Sequence, residues 1–330
     1  MSFAEKVKEE LLGIELKTDS EKTGFLIGAI KSVGSLEIKK TGYMLIFASN
    51  NYGYIMAIAS CIKSLYRVEL SVGRTGTMED KKGFMFSLAV PTNKTTEILE
   101  DTSIAKIKDY QIVGFNNEFD SRVYKDLDTL KAVVRALYIG SGNAYVPTKI
   151  DLTEEESNTK SDGYRLEFVF EDGALADEVC ELLQTLSTSI KSIERQSNYV
   201  VYTKDSSLIC DIFAWLGANN GVLELNDIIV ERSVSNEVNR MNNCVLANID
   251  KAVNAGLKQI KAIEYIQQTI GLSKLDDNLR EIALLRISKP SATLLELEEA
   301  LEHKITKSGI NHRLRKIVEI ADKLKEKTNE

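Results

Sequence analysis

The sequence holds 330 residues, 43% of them hydrophobic and only three of them proline, with a net charge of −7 at neutral pH. A chain of this length buries at least one large core and divides into two or three domains. No apolar run approaches the ~20 residues of a membrane helix, and the opening MSFAEKVKEE lacks the apolar stretch of a signal peptide, so a cytoplasmic globular protein with no membrane contact is expected.

The four cysteines, Cys61, Cys180, Cys210 and Cys244, stand at least 30 positions apart, so no close-spaced zinc pair exists and reduced, mostly core thiols are expected. The two histidines, His303 and His312, fall in the last 30 residues, which excludes a histidine base in the large N-terminal part. Phosphate-loop, dinucleotide-binding and nucleophile-elbow motifs are all missing, so no metal and no cofactor are expected. Charge is unevenly distributed. Residues 1–220 carry 25 Lys/Arg against 32 Asp/Glu, residues 221–302 carry 9 against 13, and residues 303–330 carry 8 against 4. Phosphate binding depends on clustered cations, so any nucleic-acid contact is expected in the last segment.

Taken in chain order, Ser2 and Glu5 have capping-box spacing before Val7, Leu11 and Leu12, which predicts a first amphipathic helix. Residues 23–33 read as an apolar helix closed by Gly34, followed by strands at 35–39 and 43–48 around Lys40-Thr41-Gly42. A helix over 52–65 and strands near 66–73 and 83–90 complete the assigned part of the first copy. About 108 positions after the first motif helix the pattern restarts with a helix at 130–140, strands near 144–150 and 164–170, and a helix over 173–187. Strands near 189–195 and 198–203 and a helix at 206–216 end it. The order α-β-β-α-β-β-α, read twice, predicts two similar halves about a pseudo-twofold axis, at about 20–100 and 128–217 of a domain spanning 1–220.

Beyond a boundary near 218–234, residues 221–330 read as an all-helical domain. Val238, Met241, Val245, Ile249 and Val253 mark one long helix expected to stop at Gly256, and Ile260, Ile263, Ile266 and Ile270 mark a second before Gly271. Asn236, Asn239, Asn242, Asn243 and Asn248 crowd the first of these although asparagine is a poor helix former; docking onto a neighbouring domain, docking onto DNA, or simple solvation all fit that face.

The closing segment, about 278–325, has helix-turn-helix spacing. A helix from Asn278 to Ser288 stops before Pro290, Thr293 and Glu296 open a short second helix, and after EHKI a third is capped by Thr306. Ile310, Leu314, Ile317, Ala321 and Leu324 form its inward stripe, which leaves Lys307, Ser308, Asn311, His312 and Arg315 facing outward. With Arg313 and Lys316 these are the candidate DNA-binding residues, since such side chains reach base edges and phosphates from the first turns of a recognition helix. A three-helix bundle whose polar face merely meets water is the bland alternative.

The stretches TGFLIGAIKSVGS, NRMNNCVLANIDKA, LREIALLRISKPSATLLELEEAL and ITKSGINHRLRKI resemble the WhiA family of bacterial sporulation and cell-division regulators over nearly the whole chain. The resemblance implies an α+β protein in which a duplicated LAGLIDADG homing-endonuclease fold precedes an all-α helix-turn-helix domain. It also implies a role in transcriptional control of sporulation or cell division. In an active endonuclease of that fold, each motif helix ends in an acid that holds a divalent metal. Here LIGAIKSVG puts Val33 at that position and VRALYIGSG puts Ser141 there, while the closing glycines Gly34 and Gly142 are kept. Neither side chain replaces a carboxylate.

The expected function is therefore non-enzymatic, sequence-specific binding of double-stranded DNA at the nucleoid. The N-terminal domain would tune affinity, contact another regulatory protein, or sense a signal that the sequence does not identify. The sequence leaves the oligomeric state open, and a monomer is compatible with it. The rivals are a metal-dependent endonuclease with displaced acids and a division-machinery interaction protein that needs no DNA.

Overall fold

Ser2 and Glu5 close the capping box that their spacing predicts and start α1 (Phe3–Leu12), which turns Val7 and Leu11 into the core. A second box, Thr18 with Glu21, starts α2 (Asp19–Val33) four residues earlier than the apolar pattern alone indicates. The computed structural model describes every residue except 41, 76–83, 109–110, 117, 148–162, 302–303 and 329–330. Two units result, Met1–Arg232 and Ser233–Glu330.

In the first unit, α2 is followed by β1 (Gly34–Lys39), β2 (Gly42–Ser49), α3 (Tyr52–Tyr66), β3 (Val72–Thr75), β4 (Met85–Val90) and α4 (Thr92–Asp101). The second copy has α6 (Leu127–Ser141), β7 (Gly142–Tyr145), β8 (Arg165–Phe170), α7 (Gly173–Gln184), β9 (Lys191–Arg195), β10 (Asn198–Thr203) and α8 (Ser206–Leu216). Between them lie a hairpin, β5 (Ala105–Lys108) with β6 (Gln111–Phe115), and the short α5 (Ser121–Lys125), none of which the sequence patterns indicated. The two four-stranded sheets have matching orders, β1-β2-β4-β3 and β7-β8-β10-β9, and every pair is antiparallel. The internal duplication and the mixed α+β class are thus present as read.

Some boundaries differ. The strand expected from residue 66 begins only at Val72, because α3 runs to Tyr66 and Arg67 takes a left-handed conformation (φ 57°) at its end. The strand expected over 144–150 ends at Tyr145, and residues 148–150 lie outside the described part.

Helices α2 and α6 form the spine of this unit, and their contact depends on small residues. A Cβ on Gly28 would run into the carbonyl of Val133 and stand 2.8 Å from the Cβ of Ala136, and one on Gly24 would stand 2.7 Å from the Thr129 carbonyl oxygen. Phe25, Leu26, Ala29, Val133, Ala136 and Leu137 are buried around this crossing.

The helix α9 (Asn219–Thr269) starts in the first unit, where the Glu10 carboxylate accepts from the backbone N–H groups of Asn220 (2.8 Å) and Gly221 (3.0 Å). It then passes through Gly256, where the sequence led us to expect a stop. A glycine ends a helix when it turns left-handed, as Gly271 does at φ 78°; Gly256 has no positive φ and simply continues the helix at a modest propensity cost. The two helices expected on either side of Gly256 are one.

A single turn of 3₁₀ helix (Leu272–Lys274) leads to α10 (Asp277–Ser288), α11 (Leu294–Ala300) and α12 (Lys307–Thr328). Ile263 and Ile266 of α9, Leu279 and Ile282 of α10, Leu297 of α11, and Ile310, Leu314 and Ile317 of α12 make the core of the second unit.

Candidate nucleic-acid interface

Three local devices set the orientation of α12. The Thr306 hydroxyl accepts from the Gly309 N–H (3.3 Å), the Thr306 carbonyl accepts from Ile310 N–H (2.9 Å), and the Glu298 carboxylate on α11 accepts from the Lys307 N–H (3.1 Å). Two of the otherwise unpaired first-turn amides are thereby satisfied. The stripe Ile310, Leu314, Ile317 and Ala321 is fully buried, as its spacing predicts. The short α11 is fixed by its own capping box, in which the Glu296 carboxylate accepts from Thr293 N–H at 2.6 Å and the Thr293 hydroxyl accepts from Glu296 N–H at 3.2 Å. Those hydrogen bonds hold the Glu296 carboxyl below its ordinary pKa.

The outward face follows from the same register. Lys307, Ser308, His312, Arg315 and Lys316 are exposed and Asn311 is half-buried. Arg313 is placed differently: its guanidinium donates to the Asn278 carbonyl at 3.4 Å and so joins α12 to α10. Two residues of the connection, 302 and 303, lie outside the described part, His303 among them. Arg286, which the sequence gave no special role, is buried and donates to the Ala292 carbonyl at 2.6 Å, fastening the α10–α11 turn from within. Its place one helical turn after Ile282 in the apolar stripe was the available signal.

In the first unit, Val33 and Ser141 end α2 and α6. Val33 is half-buried, and Ser141, also half-buried, turns its hydroxyl back to the Leu137 carbonyl at 2.9 Å. Each helix passes into its strand without a loop, with the Gly34 N–H bonded to Ile30 and the Gly142 N–H to Tyr138. A Cβ on either glycine would stand within 2.8 Å of the backbone four residues earlier, so the helix-to-strand joint itself calls for glycine. Among the described residues no three His, Cys, Asp or Glu side chains converge as metal ligands would. The cations on the sheets are partly matched by acids, as in Lys39 with Glu37 and Arg165 with Glu167 at 3.4 Å. All four cysteines are free: Cys61 and Cys180 are buried as expected, Cys210 is half-buried, and Cys244 is exposed on α9. No helix among the described residues is long and apolar enough to cross a membrane.

The sequence matches the family model of the WhiA LAGLIDADG-like domain over residues 22–79 and 156–235, and that of the WhiA C-terminal HTH domain over residues 238–321. The chain belongs to the WhiA family. Full-length relatives agree. A probable cell division protein WhiA of Thermoanaerobacter sp. (strain X514) is 34% identical over 99% of both chains, and one of Enterococcus faecalis is 30% identical over 99% of this chain and 100% of that one. The crystal structure of full-length DUF199/WhiA from Thermatoga maritima has the same fold, with a TM-score of 0.53 at 22% identity, covering 98% of this chain and 99% of that one. A WhiA-type chain with this helix-turn-helix is, in broad terms, a DNA-binding regulator, and double-stranded DNA is the ligand that its C-terminal domain fits.

Proposed function

We propose that the protein is a non-catalytic, sequence-specific DNA-binding protein that regulates transcription in sporulation, cell division or chromosome segregation, acting on the nucleoid in the cytoplasm. The observation that carries this reading is the outward face of α12. Ser308, Asn311, His312, Arg315 and Lys316 share the side opposite a fully buried stripe, at the start of a helix fixed by Thr306 and Glu298. Asparagine and arginine at this place can pair bidentately with adenine and guanine, while Lys316 and Lys307 supply charge to phosphates. The relatives named as probable cell division proteins support the biological setting. The N-terminal unit, with valine and serine where carboxylates would be needed, serves affinity or a protein contact in place of cleavage.

Selection from random duplexes by the full-length protein tests the reading. One enriched motif is expected, lost in an Asn311→Ala, Arg315→Ala double variant that keeps its helix content. Absence of any enriched motif would overturn it. Metal-dependent nicking that travels with the protein through a monodisperse peak in magnesium or manganese would overturn the non-catalytic part alone.

A further inference from the structure

From residue 236 to 255, α9 is exposed. Val234, Val238, Met241, Val245, Ile249 and Val253 recur every three or four positions while remaining between 46% and 64% exposed. The stripe from Val234 to Leu257 is about 35 Å long at 1.5 Å per residue. Helices in water owe most of their stability to a buried apolar face, and the five asparagines here lower the intrinsic helix propensity further. A continuous apolar stripe left exposed among the described residues calls for an occupant.

We propose that the occupant is the same segment of a second copy of this chain, lying antiparallel, with the twofold axis passing beside Cys244 and Val245. The charges select this partner and direction. Glu237 and Lys251 lie on one flank of the stripe, seven residues before and seven after Cys244. In an antiparallel helix pair like flanks meet, so Glu237 of each copy faces Lys251 of the other, twice in the assembly. Met241 then lies opposite Ile249, Val238 opposite Ala252, and Val245 opposite its own copy. A parallel pair offers Glu237 only Asn242 and Lys251 only Gly256 across the seam, and forms no ion pair. The stretch as a whole balances Arg240 and Lys251 against Glu237 and Asp250, which disfavours a phosphate backbone as the occupant. The surface is a self-association site independent of the DNA-reading face.

Sedimentation velocity of the full-length protein without DNA, from nanomolar to high micromolar concentration, tests the proposal. A reversible monomer–dimer equilibrium is expected, with Met241→Asp or Val245→Asp raising the dissociation constant by about tenfold or more, a loss of at least 1.4 kcal/mol. Glu237→Lys should also weaken the dimer, and adding Lys251→Glu should restore it; this swap keeps the test open if the aspartate variants lose helix content by circular dichroism. A short bis-maleimide should join two chains through Cys244 and fail in Cys244→Ser. A protein that stays monomeric at every concentration overturns the proposal, as does a dimer indifferent to all four substitutions. A monomer whose amides at 234–257 are protected from exchange also overturns it, because its own chain then covers the stripe.

Discussion

Lys31 of α2 and Glu178 of α7 meet at 2.7 Å with side chains only 8% and 9% exposed, joining the first repeat to the second through a charge pair closed to water. The Lys31 ammonium also lies 4.7 Å from the centre of the Phe119 ring. Burial pushes the Glu178 carboxyl above its ordinary pKa, and the Lys31 hydrogen bond and charge pull it partway back. Removing one partner of a buried pair strands the other, so Lys31→Met should cost about 3–5 kcal/mol of stability near neutral pH in urea titrations.

The pH dependence of that loss has a definite sign. A carboxyl with a raised folded pKa adds most to stability in acid; the contribution falls as pH climbs through the unfolded value and levels off above the folded one. Lys31→Met removes the pull toward ionisation, so its deficit should be largest at neutral pH and shrink in acid. A second change, Glu178→Gln, should recover part of the neutral-pH loss. A deficit that is the same at every pH would show that packing against Phe119, and not charge, sets the cost.

Gly28 tests the spine of the N-terminal unit. Valine there collides with the Val133 carbonyl and the Ala136 methyl, so Gly28→Val should destabilise by about 3 kcal/mol despite valine's better helix propensity. The denaturation midpoint should fall with little change in slope. A neutral result would mean that α2 and α6 can separate without loss.

The capping box of α11 links the stability of the second unit to pH. Thr293→Ala should cost about 1 kcal/mol by thermal unfolding. Glu296 has a lowered folded pKa, so its contribution is present above the unfolded carboxyl value and disappears as pH falls through the folded one. The gap between wild type and Glu296→Gln should therefore close in acid.

Within α12, Asn311→Ala should cost about 1–3 kcal/mol on the preferred site and little on random DNA. Lys316→Ala should weaken binding to every sequence and reduce the log-log salt slope by about one. Arg313→Ala should lower the stability of the unit through its lost bond to Asn278 and leave that slope nearly unchanged. Anisotropy titrations at several salt concentrations separate the three.

Periodicity carried most of this fold because each repeat buries one face of each element. The Ile310–Ala321 stripe and both caps of the last two helices were legible for that reason. The β5–β6 hairpin was not: Ala105, Ile107 and Ile112 face inward, but the strands are only four and five residues long, and the exposed Val113 and Phe115 put apolar residues on the outer face as well, which blurs the alternation. Gly256 misled because a glycine marks a helix end only through its backbone angle, which the sequence does not carry. Arg313 was assigned to DNA by composition alone, and its contact with Asn278, 35 positions away, is visible only once α10 and α12 are packed.

Ser32 and Gly140 occupy equivalent places in the two repeats, yet they fit as bump and hollow. Ser32 donates to the Gly28 carbonyl at 2.7 Å and lies 3.2 Å from the Tyr54 hydroxyl, which in turn donates to the Ala136 carbonyl of the second repeat at 2.8 Å. A Cβ on Gly140 would strike the Ser32 side chain and come within 3.1 Å of the Tyr54 ring. The halves have therefore ceased to be interchangeable. A tandem of two first halves would set serine against serine at the crossing, so any shuffling or recombination of this gene must preserve one copy of each half.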